Sequence, residues 1–458
     1  MHDGRMLLLR FRFENHRSFR GPSELTLVQK RLKTSKPLDG EWSKCVWNVA
    51  GVYGANASGK SALFTALDFM VQVMRFSATA WTEQPFLPHS PFALDEDSGS
   101  APSHYAVDFV VDNIRYEYGF SLTPQQITSE WLYDYAGGRR RLLFERLMQP
   151  AGTYKFGRSL TGGLSALEKI TGPRELFLSR GGTSHHRVLR PLFLALTQRI
   201  QFAEFTEIDR AQRIQKIVTG LVSGQVAVAD LVTLLKVADV GISAVGVAET
   251  EVPEPVRRVI AAMLQAGASP NERHRGDNSE GSREPLTMTP DVAMLSQNLR
   301  FQHLGSTGKL YPLDAGQQST GTLSWLALAV PSLETLRQGG VLLIDEIDAS
   351  LHPQLAQVLI EMFKDRSLNT KAAQLIFTTH DTYFLSGSGA MPLDPEEIWF
   401  VEKDGEGASE LYSLDDFPHR TGHNIRQRYL GGRYGAVPSV APAFLHGLLT
   451  SDSPALTE

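Results

Sequence analysis

Short apolar runs separated by links rich in glycine and proline give this chain its outline. Leu7 to Phe13 and Glu24 to Val28 have the composition of strands, and the link between them, Asn15 to Pro22, is rich in turn formers. Val46 to Tyr53 is an apolar strand running into Gly54-Ala55-Asn56-Ala57-Ser58-Gly59-Lys60-Ser61, after which apolar residues recur at helical spacing to about Met74. Pro85, Pro88 and Pro91 break that helix. Tyr105 to Val111 and Ile114 to Ser121 flank Asp112-Asn113 as a β-hairpin, and further strands are expected at Ile127 to Tyr135 and Arg141 to Leu147. The first third is therefore expected to be a β-rich lobe wrapped around the strand that carries the glycine-rich turn.

From about Leu164 to Leu264 the period becomes helical, with segments at Val188 to Phe202, Ala211 to Val222 and Ala227 to Val237, so a helical insertion is expected. Gly267 to Pro290 has no apolar period and is expected to be a mobile surface loop. Order should resume near Met294 to Phe301. Beyond it lie an apolar helix at Leu323 to Leu336 and a strand at Val341 to Ile344. Four consecutive apolar residues there mark a strand buried on both faces. Leu375 to Thr379 is an apolar strand that runs into His380. The expected division is 1–160, 161–292 and 293–458.

Composition narrows the classes. The chain has 458 residues, 42% of them hydrophobic, as in a globular protein with a sizeable core. A formal charge of −5 argues against a surface devoted wholly to nucleic acid, although Arg139-Arg140-Arg141 could touch phosphates locally. The single cysteine, Cys45, can form no internal disulfide and suits a reducing compartment. No apolar run approaches the roughly 18 residues of a membrane span, and the chain enters a strand soon after Met1 without a signal peptide. A cytoplasmic protein with no membrane partner is expected.

The candidate chemistry starts at the glycine-rich turn. Its glycines permit close backbone approach, so that amide N–H groups and the positive end of the following helix can surround a polyphosphate. Strand, Gly-x-x-x-x-Gly-Lys-Ser and helix occur in the order this phosphate-binding loop requires. Gly54, Asn56, Ser58, Gly59, Lys60, Ser61 and Ala62 are thus the expected ATP-binding residues, with Lys60 on the β and γ phosphates and the Ser61 hydroxyl in the shell of Mg²⁺. Asp345 and Glu346 emerge at the C-terminal end of a buried strand, where ligands bind in open α/β sheets. Asp345 is expected to hold Mg²⁺, through water, and Glu346 to polarise the attacking water. Ser319-Thr320-Gly321-Thr322 precedes an apolar helix, and His380 ends a strand. Alone, the first would be a helix cap and the second a structural histidine; their order around the acids changes that reading.

Together with Ile347-Asp348-Ala349-Ser350-Leu351-His352-Pro353, these segments resemble the motif series of an ABC-class, SMC-like ATPase head. The resemblance implies an α/β fold: an ABC-type P-loop ATPase head with a β-rich N-terminal lobe and a helical insertion. It also implies a head-to-head dimer, with further oligomerisation open, in which Ser319 and Gly321 of one subunit contact the γ-phosphate held by another. By the same resemblance Asp348 belongs to the D-loop and His380 is the switch histidine. Arg17, in Asn15-His16-Arg17-Ser18-Phe19, resembles the arginine after the first strand of such heads and would touch a phosphate. For the Q-loop glutamine, Gln84 is a weak candidate, and Gln318 departs from relatives that carry an acid before the signature serine.

The spacing from the phosphate loop to Ser319 is too long for a transporter subunit, and its filling is too short for a chromosomal coiled coil. In this the chain is similar to ATPase subunits of bacterial phage-defence and abortive-infection operons: the AbiL/Rlo-type, PARIS and Septu systems and the ATPase part of OLD nucleases. Ser-x-Gly-Thr, Asp345 to Pro353, Ile398 to Asp404 and Arg428 to Pro438 carry that likeness. About 80 residues follow His380, too few for the metal-binding nuclease domain that OLD proteins append. The expected effector is therefore a separate protein, a nuclease being the first choice, with a phage protein or nucleic acid as trigger. Two rivals stay open. One is a RecF-like ATPase of repair or genome maintenance that closes on DNA; the other is a nucleotide-locked scaffold, against which an intact Glu346 weighs.

Overall fold

The computed structural model describes residues 5–148, 152–204, 206–238, 241–251, 295–349, 351–386, 391–418 and 424–437. It separates into two compact units, 1–206 with 331–458, and 207–330.

The first unit is organised on two sheets. Five parallel strands, β3 (Val49–Tyr53), β9 (Ile200–Ala203), β13 (Val341–Ile344), β14 (Gln374–Thr379) and β15 (Ile398–Lys403), are completed by an antiparallel edge strand, β16 (Ser409–Ser413). Their order is β16-β15-β3-β14-β13-β9. Strands β3, β13 and β14 are buried along their whole length, which is why β3 and β13 read as unbroken apolar runs. Between β3 and β9 lie the 17-residue helix α1 (Lys60–Phe76) and the short helices α2 (Leu164–Ile170), α3 (Phe177–Thr183) and α4 (Leu189–Gln198).

The helix expected to run from Val188 to Phe202 stops at Gln198. Val341 N–H donates to the Arg199 carbonyl at 2.7 Å, and Ile200 to Ala203 pair in parallel with β13. A four-residue strand directly after a helix leaves no break in the apolar pattern, so only its partner reveals it.

The other sheet of this unit is antiparallel, in the order β2-β1-β4-β5-β6-β7-β8. Its strands are β1 (Met6–Glu14), β2 (Ser23–Thr26), β4 (Ser103–Val111), β5 (Ile114–Leu122), β6 (Ile127–Asp134), β7 (Arg141–Leu147) and β8 (Thr153–Phe156). The β4–β5 turn places Asp112 and Asn113 at φ 49° and 63°, as a two-residue hairpin requires. The buried Gln374 amide links the two sheets: its Oε1 accepts from Leu8 N–H at 2.7 Å and its Nε2 donates to the Leu8 carbonyl at 2.9 Å. Apolar residues of α1, α3, α4 and both sheets form one core. The α1 side chains Leu63, Leu67, Met70 and Met74 contribute to it at i, i+4, i+7 and i+11, which fixes the rotation of the helix behind the glycine-rich loop.

The second unit contains α5 (Glu207–Val222), α6 (Val228–Ala238) and a three-stranded antiparallel sheet, β10 (Ile242–Glu251), β11 (Leu295–Leu304) and β12 (Leu310–Asp314). The insertion is thus not helical throughout. Strand β10 pairs with β11 from Ile242 opposite His303 to Glu251 opposite Leu295, a partner more than forty residues further on that local periodicity does not reveal. The loop expected at Gly267 to Pro290 lies outside the described residues. Helix α7 (Thr320–Gln338) follows, and α8 (Pro353–Lys364) and α9 (Ile425–Leu430) belong to the last part of the chain.

Candidate active site

Strand β3 delivers the chain to Gly54, where an added Cβ would stand 2.4 Å from the Val401 carbonyl oxygen, so only glycine lets the loop pass β15. Ala57 at φ 60° and Gly59 at φ 116° curl the backbone into α1. Among the described residues no side chain caps the N-terminus of α1, which leaves its first N–H groups available to an anion. The Ser58 hydroxyl is buried and has no hydrogen-bond partner among the described residues. These features fit a polyphosphate.

Lys60 is buried at the first position of α1. Its Nζ donates to the Gly54 carbonyl at 2.8 Å and the Ala55 carbonyl at 3.0 Å, and lies 3.3 Å from His380 Nδ1. An ammonium has no acceptor, so Nδ1 accepts and the His380 ring carries its proton on Nε2, which lies 3.4 Å from Glu346 Oε1. The contacts join the ends of three elements: α1, β14 and the turn after β13.

Burial lowers the Lys60 ammonium to about 8, although Asp345, Glu346 and Asp348 pull it upward. A triphosphate beside it favours the charged form. Below pH 8 the lysine is already protonated; above it, binding must recruit a proton, so ATP affinity should fall as pH rises through about 8. Calorimetry at pH 9 in buffers of different ionisation enthalpy should show proton uptake on ATP binding, absent in Lys60→Arg. A heat independent of the buffer would contradict this.

The acids are set by Thr378. Its hydroxyl donates to Asp345 Oδ1 at 2.6 Å and accepts the Glu346 N–H at 2.7 Å. Glu346 is held at φ 54°, a conformation costly for a residue with a Cβ and concentrated at functional sites. The Ile347 N–H donates to the Thr378 carbonyl at 3.0 Å, pinning the same turn to β14. Asp348 is half-buried in this turn, and its Oδ1 has no hydrogen-bond partner among the described residues. Ser350 lies outside them. Thr378→Val keeps the shape and removes both bonds, so kcat should fall roughly tenfold or more with a smaller change in KM. Steady-state ATPase kinetics read that split, and a raised KM with kcat unchanged would assign Thr378 to binding instead.

Ser61 follows Lys60 in the first turn of α1 and is exposed, while Ala62 is buried in the same turn. Ser61 and Asp345 are the oxygen donors this loop and strand end offer a divalent ion. Among the described residues no group of three or more His, Cys, Asp or Glu side chains could hold a metal. That donor set matches Mg²⁺, which takes one or two protein ligands and completes its shell with phosphate and water oxygens.

Asn56 is exposed on the loop, and Arg17 is exposed on the turn after β1. The turn is firmly built. Asn15 accepts from Phe92 N–H and donates to the Ser98 carbonyl, each at 2.9 Å, and His16 bonds Tyr105 and Thr65 at 2.8 and 3.2 Å. Burial, then Arg17 and His89, push the His16 imidazole down to about 3, so it bonds as a neutral ring. Ser18, next to Arg17, connects through Ser409 to the carbonyl of Ser58. Sequence reading missed Ser409, which stands 351 residues from Ser58, and gave no role to Thr378 or Ser18.

In the second unit, Ser319 Oγ accepts the Thr322 N–H at 3.0 Å and lies 2.8 Å from the Thr322 hydroxyl, so it serves as the N-cap of α7. Gly321 is in the first turn of that helix. Gln318 Nε2 lies 3.0 Å from His303 Nε2. Gln84 follows the C-terminal end of α1, its N–H bonded to the Trp81 carbonyl, whereas Lys60 stands at the other end of a helix about 25 Å long. The chain does bring a polar residue, Glu204, to the end of β9 beside Asp345, where both line a cavity of about 20 Å³ with Thr65 and Asp68.

The family described as "AAA domain, putative AbiEii toxin, Type IV TA system" matches residues 49–157 and 183–386. That span is more than half of the chain and includes Lys60, Ser319, Asp345, Glu346 and His380. No curated protein matches. Among solved structures, the SMC head domain from Thermotoga maritima is 14% identical, with 89% of this chain and 98% of that chain covered and a TM-score of 0.36. An Smc head domain with an extended coiled coil from Pyrococcus furiosus, bound to the C-terminal domain of ScpA, is 13% identical over 89% of this chain and 96% of that one, with a TM-score of 0.38.

Proposed function

We propose that this chain, which belongs to that AAA-domain family and has an α/β P-loop ATPase fold, hydrolyses ATP with Mg²⁺ as an ABC-class head and uses the cycle to control a separate effector in an anti-phage defence complex. The observation that carries the ATPase reading is the line of contacts from Lys60 through His380 to Glu346 at the strand ends. It sets a phosphate-binding cation and a carboxylate base on either side of one imidazole. Bound Mg²⁺ would neutralise phosphate charge, held by Asp345 and Ser61. The protein's own part is to grip phosphate with Lys60 and loop amides, and to orient water and take its proton at the Glu346 carboxylate. His380 Nε2–H holds that carboxylate in place.

The resemblance to ATPase subunits of phage-defence operons and the family's AbiEii description support the defence role. An effector in a separate polypeptide, a nuclease by preference, and a dimer that ATP closes belong to the same reading. No described helix is long and apolar enough to cross a membrane. Purified protein should release phosphate from ATP in the presence of Mg²⁺. Expressed with the products of its neighbouring genes, it should copurify with one of them in an ATP-dependent ratio measurable by native mass. Phosphate release without any such partner would leave the ATPase standing and remove the effector.

A further inference from the structure

Ser409 opens β16, is buried, and ties two pieces of the phosphate site together. Its Oγ lies 2.5 Å from the Ser58 carbonyl oxygen and 2.8 Å from Ser18 Oγ, and its N–H donates to the Ser18 carbonyl at 2.7 Å. A hydroxyl has one proton. The Ser58 carbonyl can only accept, so the Ser409 O–H points to it at the shorter distance and is shared with Ser18 Oγ.

In a planar trans peptide, C=O and N–H point to opposite sides. Holding the Ser58 carbonyl toward β16 turns the N–H of Gly59, the other half of that peptide, to the opposite face of the loop. The two hydroxyls also lie against the Gly59 α-carbon, where a Cβ would come within 2.3 Å of Ser409 Oγ and 2.8 Å of Ser18 Oγ. A glycine at φ 116° has no side-chain restraint of its own, so this contact supplies the restraint. Through Ser18 the same hydroxyl fixes the residue next to Arg17.

We propose that Ser409 is a positioning residue for the nucleotide: it orients the Gly59 N–H and the Arg17 turn toward phosphate, acting through Ser58 and Ser18. The inference rests on ATP being the ligand of the Lys60 loop. The backbone bond from Ser409 N–H to Ser18 already holds the strand to the turn, so the fold does not need the hydroxyl.

The test is calorimetric titration of the full chain with Mg²⁺ and the non-hydrolysable analogue AMP-PNP, beside the melting temperature of the nucleotide-free protein. Ser409→Ala should bind about tenfold more weakly with little change in melting temperature, while Ser409→Thr, which keeps the hydroxyl, should recover most of the affinity. Should the alanine variant not fold, Ser409→Cys keeps a side chain in place with a poor donor, and the same loss of affinity is expected. Affinity within twofold of wild type, or a loss that threonine does not restore, overturns the proposal. Wild-type protein that fails to bind AMP-PNP would instead sink the ATPase reading, leaving the two failures distinguishable.

Discussion

Glu346→Gln is expected to bind ATP and to hydrolyse it on the order of a hundredfold or more slowly, the usual loss when a positioned general base is removed. The amide keeps the size of the side chain, and its Oε1 still accepts from His380 Nε2, so the contacts from Lys60 through His380 to residue 346 survive. What it loses is the capacity to take a proton. Its backbone is unaffected because the left-handed φ is held by the Glu346 N–H bond to Thr378, a contact that does not involve the side chain. Quenched-flow or steady-state phosphate release gives kcat, and titration with ATP gives affinity. Turnover equal to wild type would remove Glu346 from the chemistry; loss of ATP binding along with turnover would mean that the side chain supports the pocket rather than the reaction.

The parts of this protein legible in the sequence are those whose chemistry is local. Gly54 to Ser61 announces itself because close approach and left-handed turns demand glycine, and Val341 to Ile344 because a strand covered on both faces must be apolar throughout. The hairpin at Asp112-Asn113 is equally local, since its two left-handed residues are adjacent. What stayed hidden depends on distant partners. Strand β9 is four residues long and continuous with the apolar pattern of α4; only pairing with β13 makes it a strand. Strand β10 finds β11 across a long gap in sequence. Ser409 is one serine among many until β16 brings it to Ser58. Thr378 lay inside a recognised segment, yet its role follows from the turn at Asp345 and Glu346 folding over it.

Mixing two inactive proteins tests whether hydrolysis is shared between subunits. Lys60→Ala removes the cation that grips phosphate beside the Gly54 and Ala55 carbonyls, but leaves Ser319 to Thr322 untouched. Gly321→Asp does the reverse. An acid in the first turn of α7 suits the positive end of that helix, so folding should tolerate it, while its charge repels a γ-phosphate presented there. If each site combines the phosphate loop of one subunit with the Ser319 segment of the other, a mixed dimer holds one intact site and one doubly damaged site. With free exchange half the dimers are mixed, so an equimolar sample should recover about a quarter of wild-type ATPase activity per chain. If one chain supplies both halves of its own site, every site carries one lesion and the sample stays at background. Native mass spectrometry of differently tagged chains verifies the exchange. Background activity in a sample shown to contain mixed dimers would therefore refute capping across subunits, and with it the ATP-closed dimer through which the effector is proposed to be controlled.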